Sequence, residues 1–559
     1  MNAPALRRVC LQLGFGQGQA FRQAWHDWRQ DLERAARLDF IAITPHPHEL
    51  APTRNLHRLA FDDGRVHLLL AVGEPLDVLP ELRAQVDEFL IDEFDLSADP
   101  QRAALRLAKG LARLAAPLAR LRTSAGLQAL RPALASVGFE PEPERGEWRA
   151  VFRPRFAPRR RGATSQPDSE RRALIVGAGL AGCATACALA EQGWRCTVID
   201  CAEAPAMEGS GNPAGLFHGI VNPQDGTHAR FNRASALLAQ RTVQQAIASA
   251  TVRGSVQGLL RLDTRGLGVQ SLRGELSALQ LPPDYVQALD AAEASERCGL
   301  PLKHPAWFYP GGGWVQPAAL ARWFLQQAGD AATFRGGLSV QSLRALDGRW
   351  QLLDASGQLI DEAATVVLAN AFDALRLLQT RHWPVRAVRG QISLCAASQL
   401  QLPRLPVAGA GYLLPDIEGL AVFGASARPG DSDPMVREAD HVFNLHRLAQ
   451  LNPQPLPSPD RLQGRVGWRC VAADRLPLVG AVPDEAGPVG DRLDDTPRRP
   501  GLYLFSALGS RGIAWSTLGA QVLAARISGA PVPLEVSLVD ALDPARFALR
   551  AARRAGWRG

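Results

Sequence analysis

The chain has 559 residues, 46% of them hydrophobic, and a formal net charge of +7 with 62 lysine and arginine residues. This length predicts about three or four domains with packed cores and excludes a disordered or fibrous protein. Eight cysteines with no CxxC pair and no Cys/His ligand spacing exclude a disulfide framework and make a metal site improbable. No signal peptide or membrane-spanning pattern is present, so we expect a cytoplasmic protein.

The first 150 residues alternate between apolar strands and helical stretches, which indicates a small doubly wound α/β domain. A strand in RVCLQLGFGQGQAF runs into a glycine loop with Gly14, Gly16 and Gly18, and a helix follows. Two later apolar runs, LDFIAIT and VDEFLID, end at Thr44 and Asp92. We therefore expect a parallel sheet with these residues at the strand ends.

An exposed basic linker divides the chain. Residues 153–172 read RPRFAPRRRGATSQPDSERR, with three prolines and almost no apolar periodicity. The last fourteen residues, RFALRAARRAGWRG, add five arginines and no acid. Such stretches favour contact with a polyanion, although all but two of the basic residues are arginine, so a chain-wide bias toward arginine explains them equally well.

After the linker the chain has the order expected of a dinucleotide-binding unit. Residues 173–176 read as a buried strand, 180–191 as a helix and 196–199 as a second strand that ends at Asp200. Between the first strand and the helix lies a GxGxxG loop. Strand, loop, helix, strand and acid fall in order within about 30 residues, which makes the motif specific.

Each glycine of this loop has a physical role in holding a dinucleotide. Gly177 allows the tight turn, Gly179 lets a pyrophosphate approach the backbone, and Gly182 lets the helix pack closely on the strand. The helix N-terminus offers N–H groups to the phosphates. The carboxylate of Asp200 is placed to accept hydrogen bonds from ribose hydroxyls.

The far end of the chain indicates that the dinucleotide is FAD. A second strand and glycine loop return near the C-terminus, with Gly509, Ser510, Arg511 and Gly512 before a helix. That helix N-terminus can stabilise the negative charge of a reduced flavin. The intervening runs VRGQISLC, GYLLPD and LAVFGAS read as antiparallel strands, so we expect a substrate-binding sheet inserted into the dinucleotide domain.

From residue 173 to about 550 the chain resembles the FAD-dependent amine oxidoreductases related to glycine oxidase and D-amino acid oxidase. Within them it most resembles the oxidoreductase half of the MnmC family, bifunctional enzymes of tRNA wobble-uridine modification. The resemblance rests on five ordered stretches: GSGNPAGLFHGIVNP, VVLANAFD, VRAVRGQIS, RVGWRCVAADRLPLVGAVPD and ALGSRGIAWSTLGAQVLAA. The first of these adds Ser210 and Asn212 to the expected FAD site.

The first half resembles the other half of that family, an S-adenosylmethionine-dependent methyltransferase. LGFGQG stands at the cofactor loop, FIAITPHP at the ribose-binding strand end, and Asp92 at the active-site acid. Thr44 and Pro45 replace the ribose-binding acid, EFDL follows Asp92 in place of a glycine-containing turn, and the segment before the loop is short. These departures predict a degenerate domain kept for packing or RNA contact. An active methyltransferase remains the alternative interpretation.

The resemblance implies a substrate that is a glycine alkylated on nitrogen, 5-carboxymethylaminomethyluridine at the tRNA wobble position, with or without 2-thiolation. Its oxidation would release glyoxylate and leave aminomethyluridine, and the first half would then add a methyl group if it is active. An arginine can bind both oxygens of the free carboxylate. Arg469 aligns with the arginine that serves this role in glycine oxidase, and Arg511 lies in the flavin loop. Because Cys470 matches a cysteine of the MnmC pattern that has no flavin link, we expect noncovalent FAD.

Two other functions fit the same residues. The first is a small-molecule amine or amino-acid oxidase of the glycine or sarcosine type, and the second is a tRNA-binding scaffold with a structural flavin. For either one the predicted division is the same: residues 1–152 form the methyltransferase-like domain, 153–172 the linker, and 173–559 the FAD-dependent oxidoreductase. No metal is expected in any of them.

Overall fold

The protein is described by a computed structural model that covers residues 6–91, 100–123, 129–143, 148–155, 170–380, 382–487 and 489–556. The chain folds into two compact units. The first unit comprises Met1–Gln166 together with Ala524–Asp540, and the second comprises Pro167–Leu523 with Ala541–Gly559. Most of the predicted linker lies outside the described residues, so the boundaries predicted from sequence remain predictions.

Before residue 153, the described residues of the first unit form eight strands and four α-helices. In chain order these are β1 Arg7–Leu13, α1 Gln19–Gln30, β2 Arg37–Thr44, β3 Leu56–Phe61, β4 Val66–Val72, α2 Pro75–Val78, β5 Val86–Ile91, α3 Pro100–Leu114, β6 Ala115–Thr123, α4 Leu130–Ser136, β7 Phe139–Pro141 and β8 Trp148–Phe152.

These strands form one sheet in the order β3-β4-β2-β1-β5-β6-β8-β7. The five strands β4, β2, β1, β5 and β6 are parallel to their neighbours within this group, and the remaining pairs are antiparallel. One face of the sheet is covered by α3 through Leu107 and Leu111, and the other by α1 through Phe21 and Trp28. The doubly wound architecture expected for this half is therefore confirmed.

A segment from far along the chain completes the first unit. Its residues Val532, Leu534 and Leu538 are almost fully buried. The backbone N–H of Val532 donates to the Arg83 carbonyl at 2.9 Å. The N–H of Ser537 donates to the Glu81 carboxylate at 2.8 Å, and the Asn55 amide donates to Glu535 at 3.2 Å. The first unit is therefore discontinuous in sequence.

The second unit contains the remaining elements. In chain order they are β9 Arg172–Val176, α5 Leu180–Glu191, β10 Arg195–Ile199, β11 Gly215–Phe217, α6 Thr227–Ala248, β12 Gly254–Ser255, β13 Leu259–Leu262, α7 Val269–Ala278, β14 Gln287–Leu289, α8 Ala291–Cys298, β15 Ala306–Tyr309, β16 Gly313–Val315, α9 Pro317–Ala328, β17 Ala332–Arg335, β18 Ser342–Leu346, β19 Arg349–Leu353, β20 Leu359–Ala363, β21 Thr365–Leu368, α10 Ala374–Leu377, β22 Val385–Ala396, β23 Val407–Ala408, β24 Tyr412–Leu413, β25 Leu420–Gly424, β26 Arg428–Pro429, α11 Glu438–Leu451, β27 Gln463–Ala472, β28 Leu478–Pro483, β29 Arg498–Ser506, α12 Gly512–Ser528, α13 Val536–Leu542 and α14 Arg546–Gly556. Of these, α12 and α13 each have residues in both units.

Two sheets of the second unit position its site. The first has the order β17-β10-β9-β21-β29-β28 and is parallel except for β28 at its edge. The second has the order β14-β15-β13-β23-β24-β25-β22-β26, with β27 also paired to β22. Its pairs are antiparallel except β13 with β23. The expected insertion of an antiparallel sheet into a Rossmann-type domain is confirmed.

Candidate active site

A cavity of about 820 Å³ lies in the second unit, where the parallel sheet meets the inserted sheet. Both predicted glycine loops of this unit reach it. Of the predicted site residues, those that line the cavity are Gly177, Gly179, Asp200, Ser210, Asn212, Arg469, Gly509, Ser510, Arg511 and Gly512. The structure thus brings together residues that are spread over more than 300 positions of sequence.

The first glycine loop leaves no room for side chains at two of its three positions. Gly177 has a φ of +105°, and an added Cβ would lie 2.7 Å from the backbone of Ala369 and Asn370. At Gly182 the added Cβ would lie 1.8 Å from the Gly177 carbonyl oxygen, so this residue packs α5 against the loop and does not face the cavity. Gly179 faces the cavity, and its added Cβ would meet only Ser210 Oγ at 3.4 Å.

Asp200, at the end of β10, holds the loop through its carboxylate. One oxygen accepts from the backbone N–H of Ala178 at 2.6 Å, and the other accepts from the N–H of Ala202 at 2.9 Å. Ser210 Oγ accepts a hydrogen bond at 3.2 Å from the N–H of Leu180, the first residue of α5. The N-terminus of α5 therefore faces the cavity beside an acid whose remaining lone pairs can accept further hydrogen bonds.

Sequence reasoning missed a residue that holds the neighbouring loop. Arg465 on β27 donates to Asn212 Oδ1 at 3.0 Å and to the carbonyls of Met207 and Glu208 at 2.6 and 2.7 Å. Burial lowers the pKa of this guanidinium. Because 253 positions separate Arg465 from Asn212, no local pattern could have identified this contact.

The second glycine loop brings the N-terminus of α12 to the same cavity. Gly509 has a φ of +54°, and its N–H donates to the Cys470 carbonyl at 2.8 Å. This bond holds the loop on the strand that carries Arg469. Gly512 begins α12, and its added Cβ would lie 3.5 Å from Leu180 of α5.

These features fit FAD. One helix N-terminus beside Gly179 suits a diphosphate, the acid of Asp200 suits a ribose, and a second helix N-terminus at Gly512 suits the pyrimidine edge of a flavin. The narrow passage at Gly177, where any Cβ would collide with backbone, is the kind of close approach that this turn requires.

Arg469 lies on β27 with its side chain across the inserted sheet. An added Cβ on Gly390 of the neighbouring strand β22 would lie 2.8 Å from the guanidinium carbon, so the Arg469 side chain passes close over this glycine. The guanidinium donates to the Ser426 carbonyl at 3.2 Å and has no acidic partner among the described residues. Burial lowers its pKa, and burial raises the pKa of the nearby Tyr412 to about 12. The pair is a charged donor beside a neutral hydroxyl.

Arg511 is enclosed by aromatic side chains and a second arginine. Burial and then the charge of Arg261 lower its pKa to about 10. His218, whose ring centroid lies 5.3 Å from that of Tyr309, is buried beside both arginines, and burial lowers its pKa. Arg261 also lines the cavity and was not predicted from the sequence.

The candidate site of the first unit lies at the ends of β1 and β2. Gly14, Gly16 and Gly18 have φ values of +83°, +51° and +72°, and Gly18 caps α1. Thr44 ends β2, and its hydroxyl donates to the His46 carbonyl at 3.1 Å. Asp92 follows β5 directly and lies outside the described residues.

The described part of the chain shows neither a membrane-spanning helix nor a metal-binding cluster. None of its helices combines the length and apolar character needed to span a bilayer. Within the same residues no group of three or more His, Cys, Asp or Glu side chains is arranged to hold a metal ion.

Comparison with known families agrees with this division into two parts. Residues 172–526 match the family model described as FAD dependent oxidoreductase, and residues 38–152 match the one described as S-adenosyl-L-methionine-dependent methyltransferase. The expected cofactor of the larger half, FAD, is thereby confirmed, as is the methyltransferase resemblance of the smaller half.

Curated relatives match nearly the whole chain. A protein of Methylibium petroleiphilum named tRNA 5-methylaminomethyl-2-thiouridine biosynthesis bifunctional protein MnmC is 44% identical over 97% of this chain and 90% of its own length. A protein of the same name from Burkholderia thailandensis is 39% identical over the same shares.

Solved structures resemble the second unit. Iminodiacetate oxidase from a Chelativorans species has a TM-score of 0.52 at 24% identity and covers 65% of this chain and 96% of its own. Glycine oxidase from Geobacillus kaustophilus has a TM-score of 0.51 at 23% identity and covers 63% and 94%. At these identities the likeness concerns the fold.

Proposed function

We propose a function on the premise that this chain belongs to the MnmC family of bifunctional proteins, whose larger part is an FAD-dependent oxidoreductase. The second unit oxidises the carboxymethylaminomethyl group of a tRNA wobble uridine and leaves an aminomethyl group and glyoxylate. The observation that carries the proposal is the half-buried Arg469, a cation without an acidic partner among the described residues, in the cavity that fits FAD. The tRNA substrate implies that the protein works in the cytoplasm.

The substrate carboxylate binds Arg469, whose planar guanidinium can donate to both oxygens. Tyr412 is protonated at neutral pH, as tyrosine ordinarily is, and burial raises its pKa further, to about 12, so its hydroxyl is available as a second donor. Arg511 lines the same cavity and adds to its positive charge. These contacts orient the carbon between the amine and the carboxylate.

FAD, held by the two glycine loops, supplies the two-electron oxidation of that carbon–nitrogen bond. The chain contributes mainly orientation, because no nucleophile is needed when the reacting carbon is positioned and the amine is neutral. Phe217, Trp468 and Phe505 give part of the cavity an apolar lining. Water then hydrolyses the resulting imine, which releases the carboxymethyl carbons as glyoxylate and leaves the primary amine on the uridine.

The first unit belongs to the part of the family that transfers a methyl group from S-adenosylmethionine. In this chain Thr44 stands at the strand end where the family has an acid, and its hydroxyl donates to a backbone carbonyl. We propose that methyl transfer by this unit is weak or lost, so that the reaction ends at the aminomethyl group.

The direct test uses the purified FAD-containing protein and tRNA that carries the carboxymethylaminomethyl group. We expect mass spectrometry of the wobble nucleoside to find aminomethyluridine, with one glyoxylate released for each nucleoside converted. A small-molecule amine oxidase would instead bleach its flavin with glycine, sarcosine or D-alanine and leave the tRNA unchanged. A scaffold with a structural flavin would produce no glyoxylate from any of these.

A further inference from the structure

Three arginines line the cavity of the second unit without an ion pair to any described residue. They are Arg261, Arg469 and Arg511, on β13, on β27 and directly before α12. The acids that line the same cavity are Asp200, Glu208 and Asp373, which lie on the strand end and loops of the cofactor half. A single substrate carboxylate does not account for three such cations.

The strand register shows how Arg261 is spaced from Tyr412, the tyrosine near Arg469. Arg261 pairs with Ala408 of β23, Ala408 pairs with Tyr412 of β24, and Tyr412 pairs with Gly424 of β25. Residues in register on neighbouring strands share a face of the sheet, and all four line the cavity. Arg261 and Tyr412 are two strands apart, which separates their backbones by about 10 Å.

The row of in-register residues Arg261, Ala408 and Tyr412 therefore has two polar ends with a small residue between them. At one end Tyr412 lies beside Arg469, the predicted carboxylate site. At the other end Arg261 lies beside Arg511, with His218 and Tyr309 packed around them. Ala408 separates the two ends and leaves open space above the sheet.

We propose that Arg261, together with Arg511, forms a second oxyanion subsite and that Arg261 is a specificity-determining residue for substrates with two anionic groups. This deepens the proposed function and rests on its assignment of the first carboxylate to Arg469. The second oxyanion can come from a phosphate of the wobble nucleotide or from a second carboxylate of a small amine. Both are planar or tetrahedral oxyanions that a guanidinium binds with paired hydrogen bonds.

The first experiment measures binding without turnover. Oxydiacetate carries two carboxylates on an ether and has no amine to oxidise, and methoxyacetate is its counterpart with one carboxylate. Titration of the FAD-containing protein, followed by calorimetry and by the flavin absorption spectrum, should show oxydiacetate binding at least tenfold more tightly than methoxyacetate.

Three variants assign that preference to Arg261. Arg261→Gln should remove the preference by weakening the binding of oxydiacetate alone. Arg261→Lys should keep part of the preference. The matched control is Arg195→Gln, an exposed arginine of β10 outside the cavity, which should leave both affinities unchanged. FAD content of each variant checks that the fold is intact. Equal affinities for the two ligands in the wild type, or equal weakening of both in Arg261→Gln, would overturn the subsite.

A turnover experiment identifies the source of the oxyanion. If the nucleotide phosphate is the ligand, we expect Arg261→Gln to lower kcat/KM at least tenfold for the 5′-phosphate of carboxymethylaminomethyluridine. The same variant should leave kcat/KM for the free nucleoside unchanged. If Arg261→Gln removes the preference for oxydiacetate but leaves kcat/KM unchanged for both the 5′-phosphate and the free nucleoside, the subsite is assigned to small dicarboxylates. If the wild type does not oxidise the wobble uridine of the modified tRNA, the proposed function fails while the binding experiment still decides the subsite.

Discussion

Both units place a glycine loop between the first strand and the first helix of a parallel sheet, and the two loops begin alike. The N–H of Gly14 donates to the Ile43 carbonyl at 2.9 Å, and the N–H of Gly177 donates to the Ile199 carbonyl at 2.8 Å. The residue that follows the accepting isoleucine differs. In the second unit it is Asp200, which holds the loop with its carboxylate, and in the first unit it is Thr44, which bonds to a carbonyl in its own turn.

The third glycines differ as well. At Gly182 an added Cβ would lie 1.8 Å from the carbonyl oxygen of Gly177, so helix and loop are in direct backbone contact. At Gly18 the nearest atom to an added Cβ is in the side chain of Phe15, at 2.9 Å. In the second unit the strand-end acid and the third glycine both contact the backbone of the loop, whereas in the first unit Thr44 bonds within its own turn and an added Cβ at Gly18 would meet a side chain.

The strongest way to break the comparison is to remove the close packing of the second loop. Gly182→Val should yield protein without FAD, because its side chain cannot fit between α5 and the Gly177 carbonyl. The measurement is the flavin released by heat from a known amount of protein. Gly179→Val is the matched variant: its Cβ meets only Ser210 Oγ, so the fold should persist while the diphosphate is excluded. Stoichiometric FAD in either variant contradicts the assignment of the loop.

A second prediction concerns chemistry that only the second unit performs. Arg469→Ala should retain FAD and lose turnover, because it removes the carboxylate partner and no cofactor contact. Loss of one buried charge-assisted pair costs about 2–5 kcal/mol, roughly 30-fold to several thousand-fold in kcat/KM. Steady-state kinetics on the modified tRNA measures this. Activity within threefold of wild type would remove Arg469 from the site.

A third prediction concerns a substitution that gives the second loop the threonine found beside the first loop. Asp200→Thr removes the acceptor for the N–H groups of Ala178 and Ala202, so FAD should bind more weakly by about 1.5–3 kcal/mol, the value of a hydrogen bond to a charged group. Equilibrium titration of the apoprotein with FAD measures the change. Asp200→Glu serves as the control that keeps the charge. Unchanged affinity in the threonine variant would mean that the strand-end acid is dispensable.

A fourth prediction tests the first loop directly. With Thr44 in place of an acid, the protein should lack a bidentate ribose contact worth about 1.5–3 kcal/mol. Calorimetry on the full chain should detect no micromolar binding of S-adenosylmethionine or S-adenosylhomocysteine, and tRNA should carry no methylated product. Thr44→Glu should not restore binding, because Pro45 also departs from the family. Tight binding with methyl transfer would make the two loops functionally equal.

The smallest expected effect lies in the backbone of the first loop. Gly18→Ala places a side chain at a φ of +72°, which costs about 1–2 kcal/mol of folding free energy. Chemical denaturation followed by the tryptophans of the first unit should show this loss with FAD content unchanged. A fall in FAD content would contradict the independence of the two loops.

Local sequence patterns predicted the glycine loops and the order of strands and helices. Contacts between residues far apart in sequence determine the rest of the site. The glycines, Asp200 and the order of strand and helix follow from spacing within about 30 residues, and sequence was sufficient for them. Arg465 and Arg261 reach the site only through strands whose partners are far away in sequence, and an arginine in a chain with 62 basic residues carries no signal of its own. Nothing in the local sequence of residues 524–540 indicates that they pack in the first unit.

The late segment of the first unit also sets an order of events on the ribosome. Domains near the N-terminus usually fold first during synthesis, at roughly 5–20 residues per second. Here the Arg83 carbonyl, in the loop before β5, and the Glu81 carboxylate form these bonds only after Val532 and Ser537 have been synthesised, so the first unit is completed only tens of seconds after most of it has emerged. A nascent chain that stops at the linker leaves this unit unfinished, which ties the fate of both halves to translation of the whole message.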